Sequence, residues 1–132
     1  MTRAHGRAAQ EGVMLIEALV AILIFTLGII AVMGLQANSI IQVSQAKYRT
    51  DASYLANQIV GKMWVDQGNL ANFATAGSPQ RAKWDDQVSH TLPAGVGTIA
   101  VNGSKVSITI SWKQPEDIVT HRYFAVANIN AS

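Results

Sequence analysis

The titratable residue with the least ordinary setting in this chain is Glu17. It is a single carboxylate inside the apolar run from Val13 to Leu35, whose other non-apolar members are Thr26, Gly28 and Gly34. An ionised carboxylate costs about 2.5 to 3.5 kcal/mol at the centre of a bilayer and less near its edge. Glu17 therefore calls either for a cationic partner or for a route to the lipid headgroups, and its position near the amino-terminal end of the run leaves both readings open.

Other reactive side chains form no constellation that the sequence can carry. His5, His90 and His121 are scattered over leader, loop and strand, with no i,i+4 pair among them and no acid read at ligand spacing, so no metal site is expected. Asp85-Asp86 is the one acidic pair. Neighbours on a helix diverge by about 100°, so the pair reads as solvated charge at a helix start, not as a general acid and base. No serine sits in a nucleophile elbow and no glycine-rich loop leads from a strand into a helix, which removes the local signatures of acyl transfer and phosphate binding. The expectation is a protein that is not an enzyme, with no cofactor and no small-molecule substrate. Trp64, Trp84 and Trp112 read as core residues, each next to or within an apolar stripe. Asn102-Gly103-Ser104 and Asn130-Ala131-Ser132 match the glycosylation acceptor pattern, but turn geometry accounts for the first and a chain terminus for the second.

Composition narrows the class. The chain has 132 residues, no cysteine and a formal charge of +2. Its length suits one folded domain plus a membrane segment, no disulfide framework supports the domain, and no basic patch suits nucleic acid. Residues 1–12 are small, polar and basic through Arg3 and Arg7, and they stop at Gly12. The apolar segment 13–35 would reach about 35 Å as a helix, enough for a hydrocarbon core of about 30 Å. The positive-inside rule sets residues 1–12 in the cytoplasm and the carboxyl-terminal part outside. A secretory signal fits poorly, because the run exceeds an ordinary h-region, contains Glu17 and lacks a small-x-small cleavage site at its far end.

The segments that position these residues follow in order. Ala37, Ile41, Tyr48, Ala52, Leu55, Ile59 and Met63 keep a helical period, which predicts an amphipathic helix over 36–65, continuous with the membrane segment. Gly28 and Gly34 are its weak points and candidate sites of bending. Residues 66–83 are rich in loop formers. Trp84, Val88 and Leu92 predict a short helix over 84–92, closed by Pro93 and packed on the long helix. Thr98 to Val101, Asn102-Gly103 and Lys105 to Trp112 predict a hairpin whose Val106, Ile108, Ile110 and Trp112 share the buried face. A third strand is expected over 121–127. The fold class is α+β, a long amino-terminal helix on a small antiparallel sheet over 98–127.

Gly12, an apolar residue at 13, Leu15-Ile16 and Glu17 ahead of a long apolar helix resemble the class III signal of type IV prepilins and pseudopilins. The run from Leu15 to Ile24, with Gly28, Gly34-Leu35-Gln36, Trp84, Leu92-Pro93, Gly95, Gly97 and Ile108 to Trp112, is similar to minor pilins of the PilV type. The resemblance implies a pilin-like fold with residues 1–12 as leader, 13–35 as transmembrane and assembly helix and 36–132 as periplasmic domain. It implies cleavage by prepilin peptidase between Gly12 and Val13, N-methylation of Val13 and an assembly role for Glu17. The implied partners are that peptidase, other minor and major pilins and the inner membrane, and the implied destination is a pilus or pseudopilus. Valine stands where the family usually has phenylalanine or methionine, and the cysteine pair of many relatives is missing.

The physics of the site agrees with such a mechanism. Cleavage would free an α-ammonium on Val13 four residues from Glu17. In neighbouring subunits staggered by about one turn, one ammonium meets the next carboxylate, and each offsets the other's burial. Three functions stay open on the sequence: a minor pilin acting in pilus priming, and so in twitching, adhesion or DNA uptake; a minor pseudopilin of type II secretion; and a signal-anchored periplasmic binding domain with no filament role.

Overall fold

The computed structural model describes residues 5–115 and 117–130, with side chains from residue 10 onward. The elements are α1 (His5–Val65), a 3-10 turn (Gln67–Asn69), α2 (Leu70–Ala74), α3 (Pro79–Thr91), β1 (Val96–Asn102), β2 (Lys105–Trp112) and β3 (His121–Asn128). They form an α+β fold, a long amino-terminal helix and a three-stranded antiparallel sheet, consistent with a pilin-like architecture. The chain divides into two compact units, one ending at Ser44 and the other starting at Gln45.

The first unit is the amino-terminal part of α1. No proline interrupts the 61 residues of this helix, and Gly28 and Gly34 both lie within it without a break. Its apolar side chains are exposed on every face, including Leu15, Ile22, Phe25, Ile30 and Met33. A helix that is apolar all round and uncovered suits hydrocarbon, not water. It is long and apolar enough to cross a membrane. The hydroxyl of Thr26 donates to the Ile22 carbonyl at 2.7 Å, which satisfies its polar group within its own helix.

In the second unit, the remainder of α1 lies on the sheet through Ala52, Leu55, Ala56, Ile59 and Met63, all buried, with Tyr48 half-buried beside them. Ala37 and Ile41 continue the same stripe in sequence but belong to the first unit and are exposed, so the predicted core-facing stripe begins only at Tyr48. The sheet order is β1-β2-β3. Register runs from Asn102↔Lys105 in the hairpin and from Lys105↔Asn128 in the second pair. Gly103 supplies the positive φ, +61°, of the two-residue turn. The alternation in β2 buries Val106, Ile108, Ile110 and Trp112 and turns Lys105, Ser107, Thr109 and Ser111 outward. Tyr123 of β3 reaches α1 through its hydroxyl, which donates to Ser53 Oγ at 3.2 Å.

Between α1 and the sheet the sequence reading is corrected. Residues 66–83 are not a plain loop but hold the 3-10 turn, α2 and the first turn of α3. The short helix expected over 84–92 starts at Pro79 and ends at Thr91. Its start is set by Ser78, whose Oγ accepts from the Arg81 amide at 3.3 Å, and by proline at the first helical position. Leu92 is already extended. β1 begins at Val96 and β3 extends to Asn128, each slightly beyond the expected bounds.

Candidate functional site

Gly12, Val13 and Glu17 all lie on α1 and all are exposed. Val13 and Glu17 stand at i and i+4, one helical turn or about 6 Å apart along the axis and on one face. The ion pairs among the described residues leave Glu17 unpartnered. A carboxylate presented on an apolar helix surface, with no cation among the described residues beside it, is suited to pairing with another chain. Gly28 opens a shallow notch lined by Phe25, Ile29, Val32, Met33 and Gln36, and an added Cβ at Gly28 or Gly34 would meet only open space. Small residues of this kind let a second helix approach closely in a membrane.

The histidines require a correction, because two of them do have acids at i−4. On α3, His90 Nδ1 lies 3.4 Å from Asp86 Oδ1 in a fully solvated setting. At the start of β3, His121 Nε2 is hydrogen-bonded to Asp117 Oδ2, and the His121 ring stacks on Trp112 with centroids 5.8 Å apart. This bond, followed by the Val119 amide donating to Oδ1 at 3.2 Å, holds the Asp117 carboxyl below the ordinary carboxylate range. His5 has no described side chain. Among the described residues no three His, Cys, Asp or Glu side chains gather as metal ligands would.

Ser89, His90 and Asp86 bring the three residue types of a nucleophilic triad together, yet the wiring is wrong for one. Ser89 Oγ and Asp86 Oδ1 both face the same ring nitrogen, Nδ1, whereas proton relay needs them on opposite nitrogens. Ser89 Oγ moreover donates to the Asp86 carbonyl at 2.8 Å. Asp85 and Asp86 fall in the middle of α3, not at its start, since the helix begins earlier than expected.

Of the three tryptophans, Trp84 and Trp112 are core. Trp64 is 46 % exposed, which corrects its assignment to the core. Asn102 ends β1 and Ser104 sits in the hairpin turn, while the second acceptor pattern extends through residues 131 and 132, outside the described residues. Arg81 was hidden from sequence reasoning. It is buried and donates to the carbonyls of Gly97 at 2.8 Å and Ala74 at 3.2 Å and to Asp85 Oδ1 at 3.1 Å. Its i,i+4 spacing to Asp85 was the one available signal.

Comparison with protein-family models, curated proteins and solved structures finds no match to this chain.

Proposed function

We propose that the chain is a minor prepilin, a substrate of prepilin peptidase and a subunit in the priming or tip assembly of a type IV pilus. In this reading the peptidase cuts between Gly12 and Val13, the new amino group of Val13 is methylated, and α1 holds the protein in the inner membrane. Its amino terminus then lies in the cytoplasm and the sheet domain in the periplasm, until the subunit joins other minor and major pilins. The contribution to the cell is pilus assembly, and through it twitching, adhesion or DNA uptake.

The observation that supports this reading is Glu17 itself, exposed on an apolar helix one turn from Val13. Before cleavage no α-ammonium exists at Val13, so the pair that would offset Glu17 in an assembly cannot form. Cleavage creates the cation at the required spacing, and the low dielectric of packed helices makes its pairing with a neighbour's Glu17 matter more than it would in water. Mass spectrometry of the protein extracted from membranes of a peptidase-bearing host tests this. The expected mass begins at Val13, with or without one methyl group. A full-length precursor in that host overturns the reading.

A further inference from the structure

The sheet has two edges, and they are finished differently. In β1 the bonded pair Asn102↔Lys105 at the turn fixes which residues face β2, leaving Gly97, Ile99 and Val101 with their peptide groups outward. At Gly97 that edge is met by α3. Arg81 Nη2 donates to the Gly97 carbonyl, and the Trp84 ring occupies the space where a Gly97 side chain would be.

Along β3 the Ile129 amide donates to the Ser104 carbonyl at 2.7 Å. In this register, Ala127, Ala125, Tyr123 and His121 then bond to β2, and the amides and carbonyls of Arg122, Phe124, Val126 and Asn128 point away from the sheet. Among the described residues no other group bonds to them. Natural edges are blunted by proline, charged side chains or a bulge. β3 runs eight residues in unbroken register without proline, and its one lysine or arginine, Arg122, stands near its start, leaving Phe124 to Asn128 uncharged. Phe124 and Val126, the outward side chains at its centre, are 63 % and 47 % exposed.

Charge indicates what this edge accepts. The three strands contain Lys105 and Arg122 and no carboxylate. On the outward face Arg122 lies at one end of the Phe124–Val126 row and Lys105, opposite Asn128, at the other. A second copy of β3 paired about Ala125 would set Arg122 against Asn128 and leave every cation without an anion. We propose that β3 is a docking edge for an extended segment of a partner protein, which joins as a fourth strand. The segment sets apolar side chains on Phe124 and Val126 and carboxylates toward Arg122 and Lys105. Backbone pairing supplies the affinity and the alternating side chains the selectivity. This proposal does not depend on the filament reading.

The test uses the full chain in phospholipid nanodiscs and the synthetic peptide Glu-Thr-Val-Thr-Val-Thr-Glu, capped at both ends, whose symmetric pattern fits either strand direction. Saturable binding is expected, with amide exchange at residues 122, 124 and 126 slowed about tenfold or more at saturation. Replacing both glutamates by lysine should weaken binding about tenfold, and N-methylation of both valines and the central threonine should abolish it, since one or other of these amides faces β3 in either strand direction. Val126→Pro removes an outward N–H and no ladder bond. Val126→Glu places a carboxylate beside the peptide's glutamates without touching the backbone, so binding should be lost in both variants. Absence of saturable binding, or equal binding of the N-methylated peptide, overturns the proposal. Protection of these amides without peptide, in a species that sediments as a dimer, overturns it in favour of a second copy.

Discussion

Trp84 lies over the α-carbon of Gly97 so closely that a Cβ at residue 97 would clash with two carbons of the indole ring. The same indole donates from Nε1 to the Leu55 carbonyl at 2.9 Å, so one side chain joins α3, β1 and α1. Its polar group is thereby satisfied in a fully buried position. Gly97→Ala should therefore displace the ring and cost about 1 to 3 kcal/mol by overpacking. Chemical denaturation of the sheet domain, followed by tryptophan fluorescence, checks this. A Gly97→Ala variant as stable as the parent would mean that α3 moves away from β1 without cost.

Arg81 finishes what Trp84 begins. It is 7 % exposed and ties Gly97, Ala74 and Asp85 together. Arg81→Ala should cost about 2 to 4 kcal/mol, because the Gly97 carbonyl is left buried without a donor. Arg81→Lys should recover only part of the loss, since an ammonium cannot reproduce the planar fork that serves three acceptors. Paired denaturation curves measure both. Equal stability of the lysine variant and the parent would reduce Arg81 to a bare positive charge.

These two residues also show where sequence patterning stops. The alternation in β2 was legible because a strand buried on one face repeats every second residue, and the helical stripe from Tyr48 to Met63 was legible for the analogous reason. The hairpin was legible in place, but its two turn residues are Gly103 and Ser104, not the Asn102-Gly103 step. The start of α3 was not, because the buried member of its first turn is an arginine. Trp64 misleads in the opposite sense, being large, apolar and exposed. The Asp117–His121 bond joins a loop to a strand, so helical spacing gave no reason to seek it. The roles proposed for Gly12 and Glu17 rest on local spacing alone, and among the described residues no ion pair is formed with Glu17.

Asp117 gives the domain a signed response to acid. Its carboxyl titrates below the ordinary value of about 3.9, first through the hydrogen bond to His121 and then through the Val119 amide. In the window between the lowered folded value and the ordinary one, the unfolded chain binds the extra proton. Stability from this group is thus complete above about pH 4 and is lost as pH falls through the folded value. Asp117→Asn should flatten that part of the stability profile. His121→Phe, which keeps a ring on Trp112, should return the Asp117 carboxyl toward the ordinary range in a carbon-detected NMR titration. An unchanged titration in that variant would assign the depression to the Val119 amide instead.

The filament reading gives Gly12 a role in processing and Glu17 a role in assembly, so it is testable in two steps. On that reading the new amino terminus needs Gly12 for its creation and Glu17 only for its later partner. With the peptidase present, Gly12→Ala should therefore leave a full-length chain on a gel, while Glu17→Ala should be shortened normally. The Glu17→Ala chain should remain in the membrane and be missing from the sheared filament fraction. Glu17→Asp should recover little, because the shorter side chain draws the carboxylate back toward its own helix and away from a neighbour's Val13. An independent anchored binding domain behaves differently, since for that protein Glu17 is only a cost to insertion of about 2.5 to 3.5 kcal/mol at most, and its removal should leave function intact or improve membrane insertion. The decisive comparison is the Glu17→Ala protein in membrane and filament fractions side by side, where depletion from filaments alone points to an intermolecular pair.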